Sequence, residues 1–422
     1  MVDTVCIIED IYYSKLLPLV YFRPVYDLRC GILTLKEKIQ KYYSDIPLSL
    51  HCRSYLSDSV KRSNPNVLVN DLPKDIKSCL FINGRVIVDA NFRDKVPSDG
   101  SDTLYVDGET IIAARVSGPN LDFLRKSMND VFTISDFSGL LKKEIKVDYI
   151  SYPWDLIKYN GKQLVSDFNL LVNKNENNIK GKIYEGAILV SKQNIFIGDN
   201  AVIKPNVVID AENGPIYIDS DAKIFSNAVI EGPAYIGKKS TVKIAAKIYE
   251  NTSIGEVCKV GGEVEDSIIH SYSNKQHDGF LGHAYLGSWV NLGADTNNSD
   301  LKNNYGSVKV VINDEQIDSG SMFVGLTMGD HSKSSINTMF NTGTVVGVSS
   351  NVFGSGFPPK YIPSFTWGGS DSLTSYALDR SIDVAKRVME RRHIEFSEID
   401  ERIFRKVFDL TKEERRRRGM PN

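Results

Sequence analysis

Residues 218–260 read IDSDAKIFSNAVIEGPAYIGKKSTVKIAAKIYENTSIGEVCKV, and every sixth residue of this stretch is isoleucine or valine. The anchors are Ile218, Ile224, Ile230, Ile236, Val242, Ile248, Ile254 and Val260. An amphipathic helix repeats every 3.6 residues and a half-buried strand every 2.0 residues, so neither explains a period of six. Short strands joined by tight corners do explain it, because three strands and three corners make a triangular coil of about 18 residues. The stretch therefore predicts a parallel β-helix that buries its anchors.

The repeat extends beyond this stretch in both directions. Three upstream isoleucines have the same spacing, offset by an insertion around residues 211–215: Ile197, Ile203 and Ile209. Weaker anchors follow residue 318, and we expect the β-helix to occupy residues 184–356, with room for roughly nine coils. The polar stretch DTNNSDLKNNY, Asp295–Tyr305, has no anchors and predicts a loop that leaves the coil.

The segments on either side of the repeat have different patterns. Residues 1–150 combine buried-strand runs with an amphipathic helix from Gly31 onward, which predicts an α/β domain. Residues 151–183 are interpreted as a linker that contains a helix, and residues 357–422 as a helical extension. There Ser397 and Asp400 form a capping-box pattern, while the basic run Arg415–Arg418 is interpreted as a solvated tail, the alternative being a site for phosphate or an acidic partner.

Composition excludes several classes of protein. Hydrophobic residues make up 41% and charged residues 25%, which is typical of a folded globular protein. The net charge of −2 gives no basic field for nucleic acid, and no apolar run is long enough to cross a membrane. The five cysteines are widely spaced and form no CxxC pair, which predicts reduced thiols, a cytoplasmic location and no metal site.

Two stretches resemble a known family. Pro153–Ile157 with Asn160 resembles the PWDL linker between a sugar nucleotidyltransferase domain and a left-handed β-helix. HDGFLGHA at 277–284 and VNLGADT at 290–296 are similar to the acetyltransferase half of the bifunctional N-acetylglucosamine-1-phosphate uridylyltransferase/glucosamine-1-phosphate acetyltransferase. The whole chain most resembles a bacterial, Bacteroidetes-type family of sugar nucleotidyltransferases fused to such a β-helix.

The resemblance implies an acyl-transfer site. His277 falls on the general base that frees the acceptor amine, and Ala294 on the residue whose N–H binds the oxyanion. Asn291 falls on a residue that helps to hold the sugar phosphate. Phe280 replaces a tyrosine, and Asp295 replaces a glycine of the family motif. Acetyl-CoA or another acyl-CoA is the implied co-substrate, and a homotrimer is the implied assembly.

The family's two phosphate-binding cations are missing from the matching positions. Tyr249 and Ser267 stand there, and Lys247 is a nearby substitute. Lys302 and Lys309 are candidates for the phosphates of coenzyme A. His331 and His283 are alternative histidines; for each histidine the competing interpretation is a structural role.

The N-terminal domain departs further from active sugar nucleotidyltransferases. No glycine precedes Gly31, although the family's loop needs glycines so that backbone N–H groups approach the triphosphate. Arg85 stands where a Mg²⁺-binding aspartate belongs, and Asp89 is a possible replacement. Arg23, Arg29 and Arg85 are candidates for binding an anionic nucleotide without metal, and Mg²⁺ is expected only if this domain is active.

Three functions therefore stay open. The first is an acyl-CoA-dependent N-acyltransferase that acts on a sugar phosphate or nucleotide sugar. The second is a sugar-1-phosphate nucleotidyltransferase in the N-terminal domain, and the third is a non-catalytic, ligand-binding trimeric scaffold. The sequence leaves the sugar, the nucleotide and the acyl group undetermined.

Overall fold

The computed structural model describes residues 1–173 and 175–420. The chain divides into two compact units. The first contains Met1–Leu16, Phe22–Leu28 and Leu33–Ser151, and the second contains Leu17–Tyr21, Arg29–Ile32 and Tyr152–Asn422. Two short N-terminal segments thus belong to the second unit, a division that no local sequence pattern indicates.

The first unit is an α/β domain, as predicted. Its strands are β1 (Thr4–Ile8), β2 (Leu48–Leu50), β3 (Leu68–Val69), β4 (Ser78–Asn83), β5 (Thr103–Asp107), β6 (Thr110–Ser117) and β7 (Leu141–Glu144). They form one sheet in the order β3-β2-β1-β4-β6-β5-β7, in which only β6 runs antiparallel to its neighbours. Its helices are α1 (Leu35–Tyr42), α2 (Ser57–Ser63), α3 (Phe92–Lys95) and α4 (Gly118–Lys126).

Helix α1 begins four residues later than the sequence suggested. Thr34 is its N-cap, because the Thr34 hydroxyl accepts the Glu37 N–H and the Glu37 carboxylate accepts the Thr34 N–H. The prediction that the helix starts at Gly31 was wrong, since the capping box fixes its first turn and Gly31 has a left-handed φ of 88°.

The second unit contains helix α5 (Pro153–Leu171) and a left-handed parallel β-helix with three faces, which confirms the predicted fold class. The strands of face 1 are Lys182–Ile183, Val202–Ile203, Lys223–Ile224, Thr241–Val242, Lys259–Val260, Asn274–Lys275, Lys333–Ser334, Asn351–Val352 and Thr366–Gly368, the last pairing with Leu373–Ser375. Those of face 2 are Ile188–Val190, Val208–Asp210, Val229–Glu231, Lys247–Ile248, Glu263–Glu265, Phe280–Gly282, Asn297–Asn298 and Met339–Phe340. Those of face 3 are Ile195–Ile197, Ile216–Ile218, Ala234–Ile236, Thr252–Ile254, Ile268–Ser271, Tyr285–Ser288, Thr327–Met328, Val345–Val346 and Tyr361–Ile362.

The aliphatic anchors fill the interior of this prism. All eight anchors from Ile218 to Val260 are at most 1% exposed. Successive coils pair in parallel, so that Ile230 lies beside Ile248 on face 2 and Ile236 beside Ile254 on face 3. The sixfold period thus places one large apolar side chain per face in every coil.

The excursion from the coil starts later than predicted. Asn297–Asn298 is a strand of face 2, and the Asn298 amide donates to the carbonyl of Gly282 inside the prism at 2.9 Å. The chain leaves at Leu301, forms an antiparallel hairpin of Lys309–Ile312 with Glu315–Asp318, and returns at Phe323. The prediction of a loop over the whole of 295–305 was wrong because a hydrogen-bonded asparagine replaces the aliphatic anchor.

Three helices follow the prism: α6 (Leu378–Glu390), α7 (Glu398–Leu410) and α8 (Lys412–Arg416). The Ser397–Asp400 capping box is present. The solvated-tail interpretation was wrong, because Arg415 is fully buried while Arg417 and Arg418 bind the carboxylate of Asp314, each at 2.8 Å. Among the described residues, no helix combines the length and the apolar character needed to cross a membrane.

Candidate functional site

His277 lies at the corner between faces 1 and 2, and its side chain is exposed. The Lys275 ammonium group, buried inside the prism, donates to the carbonyls of His277 at 2.8 Å and Gly261 at 3.1 Å. Burial lowers the pKa of Lys275 to about 8. The corner backbone that carries His277 is therefore held from inside the coil.

Ala294 occupies the same corner one coil further along. The Asp295 N–H donates to the carbonyl of Asp278 at 3.1 Å, which sets the register of the two corners. No described residue accepts a hydrogen bond from the Ala294 N–H. The structure thus places His277 and a free backbone donor at one corner of consecutive coils.

Phe280 and Lys247 lie on face 2. Glu263 pairs with Phe280 on one side and with Lys247 on the other. The Lys247 ammonium group lies 3.2 Å from the Glu263 carboxylate, so its charge already has a partner.

Asn291 lies on face 1 and lines a cavity of about 370 Å³. Four cationic side chains line the same cavity: Lys259, Lys333, Arg391 and Arg392. Asn291 accepts a hydrogen bond from the Asn274 amide at 3.2 Å, and Asn274 in turn accepts one from Arg392 at 2.7 Å. Sequence reasoning found Asn291 but missed these cations, since parallel pairing and a returning helix bring them together.

The remaining candidate residues of the second unit do not line this cavity. Lys302 donates to the carbonyl of Ser307 at 2.9 Å within the excursion, and Lys309 is exposed on the hairpin. His331 is buried, with its ring stacked on Trp289 at a centroid distance of 6.0 Å and edge-on to Phe404 at 4.9 Å. His331 therefore faces the C-terminal helices.

His283 lies at the corner between faces 2 and 3, in a second cavity of about 460 Å³. Its Nδ1 is 2.9 Å from the Asp300 carboxylate and its Nε2 is 3.9 Å from that of Asp266. Burial opposes protonation, but the hydrogen bond to Asp300 and the charge of Asp266 outweigh it and raise the pKa of His283. The ring also stacks on Phe323 at 4.9 Å. The sequence offered His283 only as an alternative, because both carboxylates come from other coils.

In the first unit, Arg85 is buried in a pairing with Asp10. Its guanidinium binds the Asp10 carboxylate, with 2.9 Å between Nε and Oδ1, and donates to the carbonyl of Ile150 at 2.7 Å. The neighbouring Glu9 is buried as well and binds Arg53 at 3.1 Å. Acid–arginine pairs thus occupy the segment in which a nucleotidyltransferase has its glycine-rich loop.

The other N-terminal candidates have surroundings of their own. Arg23 is 9% exposed, and the Asp89 carboxylate accepts the N–H of Asn91 at 3.0 Å. Arg29 belongs to the second unit, where it pairs with Glu256 at 3.1 Å. Across the described residues, no three acidic, histidine or cysteine side chains come together as a metal site.

Comparison with known proteins confirms the family resemblance. Residues 5–176 match the model of a family described as sugar nucleotidyl transferase. A bifunctional sugar-1-phosphate nucleotidylyltransferase/acetyltransferase from Sulfurisphaera tokodaii is 28% identical over 244 residues, covering 55% of this chain and 53% of that protein. The bifunctional protein GlmU of Ruthia magnifica is 35% identical over 102 residues, 24% of this chain and 22% of its own.

Among solved structures, the UDP-N-acetylglucosamine acyltransferase of Francisella novicida matches 57% of this chain and 84% of its own, with 17% identity and a TM-score of 0.29. The chain spans about half the length of the first of the curated relatives and less of the second. The chain is therefore related to sugar nucleotidyltransferase/acetyltransferases over part of their length.

Proposed function

We propose that this protein is an acyl-CoA-dependent N-acyltransferase that acts on an amino-sugar phosphate or a nucleotide-linked amino sugar. The observation that carries the proposal is the pairing of the exposed His277 with the unbonded N–H of Ala294 at one corner of consecutive coils. The relatives, named as transferases of nucleotidyl and acetyl groups, support this reaction class.

The two groups supply complementary parts of an acyl transfer. His277 takes a proton from the acceptor ammonium, so that the neutral amine attacks the thioester carbonyl. The carbonyl oxygen becomes negative in the tetrahedral intermediate and accepts a hydrogen bond from the Ala294 N–H. The C–S bond of the intermediate then breaks, the leaving thiolate of coenzyme A takes the proton that the attacking nitrogen loses, and an amide remains on the sugar. Phe280, next to this corner on face 2, offers its ring to the acceptor, while the exposed Lys309 is available to a coenzyme A phosphate.

The test is acceptor-dependent release of coenzyme A from acetyl-CoA, followed with a thiol reagent over a panel of amino-sugar phosphates and amino nucleotide sugars. We expect His277→Ala to reduce kcat by about 10²- to 10⁴-fold with a smaller change in KM, as for loss of a general base. His283→Ala is the matched control, because it removes a histidine from the other end of the same face-2 strand. Equal losses in both variants, or no release with any acceptor, would contradict the assignment.

A nucleotidyltransferase is the second candidate, favoured by the family match over residues 5–176. The buried pairs Asp10–Arg85 and Glu9–Arg53 argue against it. Pyrophosphate release from a nucleoside triphosphate and a sugar-1-phosphate, in the presence of Mg²⁺, would establish this activity. Its absence with the common triphosphates would remove the candidate.

We also propose that the chain works as a homotrimer in the cytoplasm, in keeping with the resemblance and with five buried free cysteines among the described residues. Light scattering after size-exclusion chromatography should then give three times the chain mass of 47.2 kDa. A monomer at micromolar concentration would contradict the trimer.

A further inference from the structure

The cavity on face 1 has a charge that the protein itself does not balance. Its walls carry Lys259 and Lys333 from the β-helix, and Arg391 and Arg392 from the residues that follow α6. No acidic residue lines the cavity, and none of the four cations forms an ion pair with a carboxylate among the described residues. Elsewhere in the second unit, exposed cations such as Lys247 and Arg417 do have acidic partners.

Apart from Val388, the rest of the lining is polar or aromatic. Asn274, Gln276 and Asn291 contribute side-chain amides, which donate and accept hydrogen bonds. Tyr272 and Trp289 stack on each other at a centroid distance of 4.3 Å and form the aromatic end of the cavity. A volume of about 370 Å³ lies within the range of small-molecule sites.

The cations occupy their positions at an electrostatic cost. Burial lowers the pKa of Lys333 to about 8, although its ammonium group donates to the carbonyl of His331 at 2.8 Å. Burial and then the charge of Arg392 lower the pKa of Lys259, and burial with the charge of Arg391 lowers that of Arg392. A bound anion would remove this mutual repulsion.

We propose that this cavity binds a small molecule through a phosphate or diphosphate group. Arginine forks and lysine ammonium groups are the side chains that bind such groups best, and the four cations carry enough charge to balance a phosphate monoester or a diphosphate. The amides then contact hydroxyl groups of the attached sugar or ribose. The claim that this cavity is the acceptor site of the acyltransferase rests on the proposed function. The claim that it binds an anion does not depend on that function.

This assignment accounts for the missing phosphate-binding cations on the repeat. Tyr249 and Ser267 stand at the two positions where the resemblance placed those cations. Here Lys259 and Lys333 supply charge from other positions of the repeat, and Arg391 and Arg392 add charge from the residues that follow α6, where Arg392 contacts Asn274. The C-terminal helices thereby become part of a ligand site.

The test is calorimetric titration of the full chain with inorganic pyrophosphate, without acyl-CoA. Wild-type protein should bind it, and Lys259→Ala and Arg391→Ala should each weaken the binding by about tenfold or more. Arg380→Ala is the matched control, because it removes the same charge from α6 at a position that lines a different cavity. Lys259 belongs to a strand of the rigid prism, so its variant tests the site without disturbing a helix end.

Parallel titrations with a sugar-1-phosphate and with UDP identify the source of the phosphate. Whichever binds more tightly than pyrophosphate is the preferred class. Dissociation constants above about 10 mM for all three, or equal affinity in wild-type protein and Lys259→Ala, would overturn the proposal. Because these titrations need no catalysis, their outcome is independent of whether coenzyme A is released.

Discussion

The Arg85 guanidinium binds the Asp10 carboxylate, and the two side chains are only 1% and 2% exposed. Asp10 follows β1 and Arg85 follows β4, the two central parallel neighbours of the N-terminal sheet. Asn83 adds a hydrogen bond to the same carboxylate at 2.9 Å. The resemblance placed a metal-binding aspartate at the carboxyl ends of these central strands. A cation of the protein itself, the Arg85 guanidinium, occupies that place.

Breaking this pair should destabilise the first unit strongly. In Arg85→Ala the Asp10 carboxylate stays buried without its partner, which costs about 3–5 kcal/mol. Urea unfolding monitored by fluorescence measures the loss. Arg93→Ala is the control: it breaks the Arg93–Asp45 pair, which is exposed to water and should change the free energy of unfolding far less. Comparable effects of the two variants would contradict the burial argument.

The prism should depend on its anchors far more than on other isoleucines of the repeat. Ile230 is fully buried, whereas Ile244, in the next coil, is 64% exposed. Ile230→Ala should lower the free energy of unfolding by about 2–5 kcal/mol, because it leaves a cavity between stacked coils. Ile244→Ala should have little effect on denaturant unfolding, and a large effect there would mean that a partner chain covers this residue.

His283 should make stability depend on pH in a defined direction. Its pKa in the folded protein lies above the ordinary value of 6.5, so the folded state holds the proton more tightly than the unfolded chain. The resulting stabilisation is fully present below pH 6.5 and is lost as the pH rises through the folded pKa. The difference in unfolding free energy between wild type and His283→Gln should therefore be larger at pH 5.5 than at pH 8.5.

The carboxylate that raises this pKa provides the control. Asp300→Asn removes the partner 2.9 Å from His283 Nδ1, so most of the pH dependence attributed to His283 should disappear. If the difference in unfolding free energy between wild type and His283→Gln were the same at pH 5.5 and pH 8.5, the His283–Asp300 pair would not be the source of the pH dependence. NMR titration of the His283 ring would report the same shift directly.

Two adjacent arginines at the C-terminus should behave differently. Arg415 is fully buried, donates to the Thr411 hydroxyl at 2.7 Å and lies over the Phe408 ring at 3.8 Å. Arg415→Ala should destabilise the helical extension by about 1–3 kcal/mol, measured as a loss of helical signal at lower denaturant concentration. The exposed Arg416 is the control, and Arg416→Ala should unfold at nearly the wild-type denaturant concentration.

The fold could be predicted from the sequence because its signal is local. Each anchor from Ile218 to Val260 is six residues from the next, so a window of 43 residues contains the complete period. The Ser397–Asp400 cap is also local, since both partners lie in one helical turn. The sequence did not predict polar anchors such as Asn298. A buried asparagine is favourable only because the carbonyl of Gly282, on the neighbouring coil, accepts its hydrogen bond.

The candidate sites also combine features that the sequence determines with features that only the tertiary structure decides. The sequence by itself determined the β-helix and the motif around His277, because both are written in consecutive residues. Only the tertiary structure decided that Asn291 shares a cavity with Lys333 and Arg392, and that Arg85 is paired with Asp10. The physical reason is that parallel pairing joins residues from different coils or strands that lie far apart along the chain, as Asn291 and Lys333 do on either side of the excursion. Which charges meet depends on this register and on where α6 ends, and no local pattern encodes either.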